Sequence, residues 1–406
     1  MVKIMLKKHL GEELYSYFII FFLIYLEWGY EPVIAKNISG TIKTILMIVS
    51  VLPLCFFENF KMKKKSIILL FYLTIIITLS AMRDAEIGNS ILLLVPIFCA
   101  FILNSFFKED KIINIFCNVI TFLAAYSLIV YIIAWIAPSI VTSFPILPNA
   151  YSTPIHNLGL SVVPSGVSII RNYGIAWEPG AFAILLCLAI YGQIVGSNSL
   201  NKCKIIINIL ALITTFSTMG FAVLAIIMIT TRFRTQSVAS HSYSNILLLL
   251  IVFGISCLLL ASSIEIYEVT FAKLNGISLE EENPETTQAR LNAIIYPGAA
   301  FLSSPFLGVG YDDFSIINKT VCNNVATNTI INWFAIFGLT MGLPCIYCYI
   351  NALMKVSNYL KLGFILKIIL IIGFVLLIST ESLLRISLVY VIIFYGCFYK
   401  NLTKHA

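Results

Sequence analysis

Charged residues are scarce in this sequence. Lysine and arginine together number 26 and the acidic residues 19 among 406, so only 11% of the chain is charged while 60% is apolar. A soluble globular protein carries about a quarter of its residues as charges. The composition therefore excludes an ordinary soluble globule. It predicts that lipid surrounds most of the chain.

Histidine is rarer still, with four residues spread along the chain, and the ten cysteines fall mostly within apolar runs. Buried cysteines of this kind behave as small apolar side chains. Cys345 and Cys348 have the spacing of a zinc or redox pair, but no second pair accompanies them. A tetrahedral zinc site needs four ligands. We therefore expect no metal and no cofactor.

Apolar runs of about 17 to 25 residues recur from end to end, and each is long enough to cross a bilayer as a helix. About twelve such runs predict an all-α integral membrane protein with one polytopic domain over residues 1–406. Basic residues gather in alternate short loops, which marks those loops as cytoplasmic. Both termini are then cytoplasmic. Two long extracytoplasmic loops result, at residues 138–178 and 263–327.

The two long loops differ in character. The first is rich in proline and apolar residues, which favours an irregular lid packed on the helices. The second is expected to contain a short amphipathic helix that carries Arg290 and is interrupted at Pro297. A glycine-rich turn with Gly308 and Gly310 follows, where a backbone can approach a ligand closely. Asp312, directly after this turn, could bind a sugar, although acidic residues are also common in turns.

One segment, residues 171–183, contains the two charges that interrupt a long uncharged stretch. Between Lys111 and Lys202 these are Arg171 and Glu178. Ionisable residues near hydrocarbon are costly and often functional. Pro179 is suited to the first position of a helix, whose N-terminal amides would face the same side as Arg171. Such an arrangement can hold a phosphate or diphosphate, and Arg290 could add a second guanidinium.

Structural explanations compete with these assignments. Arg171 and Glu178 can form a boundary ion pair, since many buried ions are structural. Glu178 would repel an anion, so a role as general base or as acceptor of a sugar hydroxyl suits it better. Tyr173 could stack on a sugar. Glu381 and Arg385 are spaced for a salt bridge on the last helix. The tryptophans suit an interfacial belt; they are Trp28, Trp135, Trp177 and Trp333.

The pattern resembles the bacterial O-antigen polymerase and ligase family of GT-C-like polytopic glycosyltransferases. Order, loop placement and topology are similar from about Arg171 to Met354. The motifs that carry the resemblance are, in chain order, Arg171-x-x-Gly174-x-x-x-Glu178-Pro179, Thr214-Thr215-Phe216-Ser217-Thr218-Met219-Gly220, Arg290, Ser304-Pro305-Phe306-Leu307-Gly308-Val309-Gly310, and Asn328 with Gly338-Leu339. The second motif is expected to contain a helix break around Ser217, between two short spans.

The resemblance implies a glycan transfer at the periplasmic face of the bacterial inner membrane, from undecaprenyl diphosphate to a sugar hydroxyl. By that analogy Arg171 and Arg290 would grip the diphosphate without a metal. The analogy leaves the base unassigned; Glu178 is the first candidate and Asp312 the second. Substrate contacts would fall on residues of the same motifs, which are Tyr173, Gly174, Pro179, Gly308, Gly310, Asp312 and Asn328. The expected partners are the lipid-linked oligosaccharide, membrane lipid and a chain-length regulator, with no nucleic acid.

Two alternatives to a polymerase stay open. The ligase branch of the family typically has a histidine before the asparagine that opens the next span, whereas Thr327 precedes Asn328 here. This difference favours a polymerase over an O-antigen ligase that joins polymer to lipid A core. A lipid-linked oligosaccharide flippase or transporter also has about twelve spans, but such proteins usually bind substrate at the bilayer midplane.

Overall fold

This computed structural model describes residues 2–29, 39–84, 87–148, 154–166, 170–196, 201–235, 284–320 and 328–397. These residues are mostly helical. The helices are α1 (Val2–Trp28), α2 (Gly40–Val51), α3 (Lys64–Ala81), α4 (Ile87–Ile91), α5 (Leu94–Phe106), α6 (Glu109–Ile136), α7 (Pro138–Thr142), α8 (Pro179–Gly196), α9 (Lys202–Thr214), α10 (Thr218–Thr235), α11 (Pro284–Ser303), α12 (Tyr311–Thr320), α13 (Thr329–Tyr359), α14 (Phe364–Ile378) and α15 (Ser387–Gly396). A 3₁₀ helix (Leu52–Phe56) extends α2.

Three of these helices are long and apolar enough to cross a membrane, and they belong to α3, α6 and α13. Six shorter apolar stretches include α5, α8 and α14. Large apolar side chains face outward, as on α3, where Phe71 is 65% exposed. Outward-facing apolar side chains suit a lipid environment. The helices are compatible with a membrane-embedded protein. The span expected at residues 245–262 lies outside the described residues.

Several helix ends lie where the sequence predicts them. α8 begins at Pro179, and α13 begins after Asn328, whose side chain accepts a hydrogen bond from the Ile331 amide at 3.0 Å. α9 and α10 are separated by a short turn at Thr215, Phe216 and Ser217. Phe216 has a φ of 49°, a left-handed conformation that ends a helix abruptly. The predicted break around Ser217 is therefore confirmed.

A sharp break divides α13 at Gly338, which has φ 65° and ψ −160°. The loop 304–310 enters this break and pairs with the free backbone groups there. The Val309 amide donates to the Ala335 carbonyl at 2.8 Å, and the Leu339 amide donates to the Pro305 carbonyl at 2.8 Å. Irregular backbone in an apolar surrounding is stable only when its polar groups are paired in this way.

The first long loop contains more regular structure than expected. After α7 it forms a three-stranded antiparallel sheet of β1 (Ile146–Pro148), β2 (Pro154–Asn157) and β3 (Val162–Pro164), in that order. Ile155 and Val162 of this sheet are buried in the main apolar core. Buried β-branched residues of this kind favour a strand over an irregular lid. The loop therefore packs on the helices as a small sheet.

The expectation of a short, interrupted helix in the second long loop is wrong. α11 runs for 20 residues and continues through Pro297. A proline inside a helix loses one amide hydrogen bond and usually bends the helix without necessarily ending it. Arg290 belongs to α11, but its side chain lies outside the described part of the structure, as do residues 263–283 and 321–327.

Several helices begin or end near Trp28, at one end of the helix bundle, which we call the Trp28 end. α1 ends there, while α8, α13 and α15 begin there. Trp28 stacks on Trp177 with ring centroids 5.3 Å apart. Trp28, Trp177 and Trp333 are all buried, and Trp135 is 52% exposed. The interfacial-belt interpretation is therefore wrong for three of the four tryptophans, because their side chains pack inside the protein.

Candidate active site

Arg171 binds the turn between α9 and α10. Its Nε donates to the Thr215 carbonyl at 3.0 Å, and its Nη2 donates to the Phe216 carbonyl at 3.1 Å. Carbonyls at a helix C-terminus lack helical partners and carry the negative end of the helix dipole, so a guanidinium is a favourable partner. Arg171 is half-buried. It therefore holds the turn in place from the side of the first long loop.

Asn172 anchors the same segment inside the protein, where it is 3% exposed. Its amide nitrogen donates to the Ser127 hydroxyl at 3.1 Å and the Thr214 hydroxyl at 2.9 Å. Its side-chain oxygen accepts from the Gly174 amide at 2.9 Å. Because a buried polar group needs its partners, this network fixes the segment against α6 and α9.

Asn172→Ala is expected to destabilise the protein by about 3 kcal/mol, since each lost bond costs about 1 kcal/mol and several buried partners lose their bonds together. Unfolding of the purified protein by SDS titration measures this change. Asn157→Ala is the matched control, because Asn157 is only half-buried and its side chain accepts a bond from Gly159 in a local turn. Equal losses in both variants would contradict the proposed anchor.

Tyr173 and Gly174 continue the segment beside two charges. Burial raises the pKa of the Tyr173 hydroxyl; Arg171 lowers it and Glu178 raises it further. Both charges therefore act on the same phenol. Gly174 has a φ of 52°, and a Cβ at this position would stand 2.5 Å from the Phe182 ring. Close packing on α8 thus accounts for the glycine.

Two carboxylates flank the first turn of α8. Glu178 Oε1 lies 3.1 Å, and Glu381 Oε1 3.3 Å, from the position that a Cβ on Gly180 would occupy. Glu381 is 2% exposed, and its Oε2 accepts a hydrogen bond from Trp177 Nε1 at 3.1 Å. Glu178 is half-buried. The Glu178 carboxylate is therefore partly accessible, whereas the Glu381 carboxylate is held by its hydrogen bond. Both lie near the positive end of the α8 dipole.

The placement of Glu381 differs from the sequence-based interpretation. Glu381 and Arg385 do not lie on one helix, because α14 ends at Ile378 and α15 begins at Ser387. The intervening segment docks on α13, where the Thr329 amide donates to the Glu381 carbonyl at 3.0 Å. Arg385 instead donates to the Tyr311 hydroxyl at 2.7 Å. The spacing of four residues was misleading because the chain turns between them.

The glycine-rich turn packs against the protein itself. A Cβ on Gly308 would lie 2.3 Å from the Ile336 carbonyl group, and one on Gly310 would lie 2.5 Å from Asp84 Oδ1. The same Asp84 oxygen accepts from the Asp312 amide at 3.3 Å, at the start of α12. Packing and capping therefore explain these positions without a ligand. Asn328 likewise serves as the N-cap of α13.

A cavity of about 300 Å³ opens beside Trp177 at the Trp28 end. Its apolar wall includes Met47 and Pro96. Its polar lining residues are Glu27, Lys43, Thr44, Trp177, Tyr311, Ser382 and Arg385. Trp177 lines the cavity and its Nε1 donates to Glu381, so this residue connects the cavity with the carboxylate pair.

Comparison with known proteins leaves the family open. A scan against models of known protein families finds no match to this chain. A search of curated proteins finds no match either.

Sequence reasoning missed the functional potential of Glu27, Lys43 and Glu381. The scarcity of charge that singled out Arg171 applies equally to two other places. Glu27 is the only charged residue between Glu13 and Glu31, and Glu381 and Arg385 are the only charges between Lys367 and Lys400. The signal was present, but no sequence pattern indicated that these distant segments meet.

Proposed function

We propose that this protein is a polymerase of a bacterial surface polysaccharide such as O-antigen. It transfers the growing glycan from undecaprenyl diphosphate to a sugar hydroxyl of a new lipid-linked repeat unit. One observation carries the proposal: half-buried Glu178 and Arg171 belong to the same segment, which lies at one end of an apolar helix bundle. A reaction between two lipid-anchored substrates needs catalytic groups at the end of such a bundle.

The proposed chemistry requires a base and a counter-charge. The acceptor hydroxyl oxygen forms a bond to the anomeric carbon of the donor glycan as the bond from that carbon to the diphosphate oxygen breaks. Glu178 takes the hydroxyl proton, and its position near Gly180 leaves it accessible at the start of α8. Arg171, with Arg290 as its proposed partner, neutralises the charge that develops on the departing diphosphate.

The same proposal includes the topology. The chain crosses the inner membrane about twelve times, with both termini in the cytoplasm and the Trp28 end at the periplasmic face. This topology agrees with the alternating basic loops. Membrane lipid surrounds the bundle, and a chain-length regulator is the protein partner that such a polymerase would use.

The proposal is tested by deleting the gene and examining the glycolipids on gels. We expect a single-repeat-unit product in place of the long-chain ladder, and restoration of the ladder by the wild-type gene. Polymer that accumulates on the carrier without reaching lipid A core would indicate the ligase instead. Loss of even the single-unit product would indicate a flippase. An unchanged ladder would refute all three functions.

The transporter alternative gains no support from the cavity. Its lining residues lie at helix ends and in connecting segments, such as Glu27 at the end of α1 and Arg385 before α15. Secondary transporters usually bind substrate near the middle of the membrane. A site at one end of the bundle is better suited to chemistry on a substrate that stays in one leaflet.

A further inference from the structure

The cavity at the Trp28 end is separate from the anchoring contacts of Arg171. Arg171 binds the turn after α9, whereas the cavity lies between α2, α5 and the segment that precedes α15. Trp177 is the one residue of the segment 171–183 among the cavity-lining residues. The two regions are therefore neighbours with different charged groups.

Two cationic side chains line this cavity. Lys43 lies in the first turn of α2 and is half-buried. Arg385 is held by Tyr311, both through the hydrogen bond to its hydroxyl and through stacking, with the guanidinium carbon 5.1 Å from the ring centre. A stacked guanidinium is already oriented, so it loses little freedom when it binds an anion.

Glu27 also lines the cavity, and its carboxylate interacts electrostatically with Lys43. Its Oε1 accepts hydrogen bonds from both the amide, at 2.8 Å, and the hydroxyl of Ser387. A carboxylate at this place stabilises the start of α15 by its interaction with the helix dipole. Lys43 and Arg385 outnumber Glu27 two to one among the charged residues that line the cavity, and this excess of positive charge favours an anionic ligand.

Helix ends reinforce this preference. α2 begins with Gly40 at the cavity wall, and the first turn of α5 contributes Val95 and Pro96. The positive ends of these two helix dipoles add to the charges of Lys43 and Arg385. An apolar wall on the opposite side suits the first carbons of a lipid chain.

We propose that this cavity binds the diphosphate of the acceptor lipid through Lys43 and Arg385. The inference rests on the proposed function for the identity of the lipid, because polymerisation brings together two diphosphate-linked substrates. Arg171 and Arg290 serve the donor. Trp177 lines this cavity and donates to Glu381, so it connects the acceptor site with the carboxylates beside Gly180.

Binding of a fluorescent short-chain isoprenyl diphosphate to the purified full-length protein tests the site. Lys43→Gln and Arg385→Gln are each expected to weaken binding about tenfold or more, which is the usual effect of losing a charge-assisted hydrogen bond. Lys319→Gln is the matched control, because Lys319 is exposed on α12 and does not line the cavity. The control should bind like the wild type.

Inorganic pyrophosphate and a neutral isoprenol serve as competitors. Competition by pyrophosphate at concentrations similar to the probe would mean that the diphosphate group alone is recognised. Competition only at much higher concentrations would mean that the lipid chain adds affinity, and both results support the site. Competition by isoprenol as strong as that by unlabelled isoprenyl diphosphate would overturn it, as would absence of probe binding to the wild type.

Lys43→Gln decides the proposal if Arg385→Gln does not fold, because Lys43 is half-exposed, whereas Arg385 is bonded to Tyr311 of α12. Unchanged binding in a folded Lys43→Gln protein would overturn the assignment. The binding assay requires no glycan transfer. A failure of the polymerase proposal in cells is thereby distinguished from a failure of this site.

Discussion

Arg171→Ala is expected to lower glycan chain elongation by about a hundredfold or more, leaving cells with single repeat units. The loss of a group that stabilises transition-state charge typically costs this much. Gel analysis of glycolipids from a deletion strain that expresses the variant measures the effect. Arg171→Lys should recover only part of the activity, because an ammonium keeps the charge but cannot reproduce the two-pronged bonds to Thr215 and Phe216.

A structural role for Arg171 must be separated from a catalytic one, since its side chain also holds the turn between α9 and α10. Chain elongation should therefore be normalised to the amount of folded protein, measured by size-exclusion chromatography of the detergent-solubilised chain. Lys319→Gln serves as a charge-removal control. An activity loss that merely follows the loss of folded protein would refute the catalytic assignment, and so would a normal ladder.

Gly338→Ala is expected to have the largest effect on folding, at about 3 to 6 kcal/mol. Gly338 has φ 65° and ψ −160°, a region that is essentially restricted to glycine, and forcing another residue into it is costly. A Cβ there would also stand 2.3 Å from the Phe306 carbonyl oxygen. Overpacking adds a further penalty. The loop 304–310 would be pushed out of the break in α13.

Gly298→Ala is the matched control for this prediction. Gly298 lies inside α11, and a Cβ there would meet nothing within 4 Å. Alanine favours a helix over glycine, so this change should leave stability equal or slightly higher. Thermal unfolding in detergent compares the two variants with the wild type. A wild-type melting temperature for Gly338→Ala would contradict the close packing described above.

Local sequence signals predicted the helix ends well. Pro179 opens α8, Asn328 caps α13, and the break near Ser217 separates α9 from α10. Each of these features depends on a few adjacent residues whose preferences act locally. Apolar length likewise predicted the helical, membrane-compatible character, because burying backbone polar groups in lipid requires helices.

Predictions that depended on spacing alone were less successful. Glu381 and Arg385 have helical spacing, yet the chain turns between α14 and α15 and sends them to different partners. Pro297 was expected to interrupt a helix, but α11 continues through it. In both cases contacts with distant segments outweighed the local preference, as tertiary packing commonly does.

The sequence by itself predicted a mostly helical chain compatible with a membrane, and it placed two of the rare charges, Arg171 and Glu178, shortly before α8. Only the tertiary structure decided where the other charges lie: Glu381 lies beside Gly180, and Lys43 and Arg385 line one cavity. Helix propensity and hydropathy act over a few neighbouring residues, whereas these arrangements bring together segments hundreds of positions apart in the sequence. They depend on how the helices pack, which no local pattern specifies.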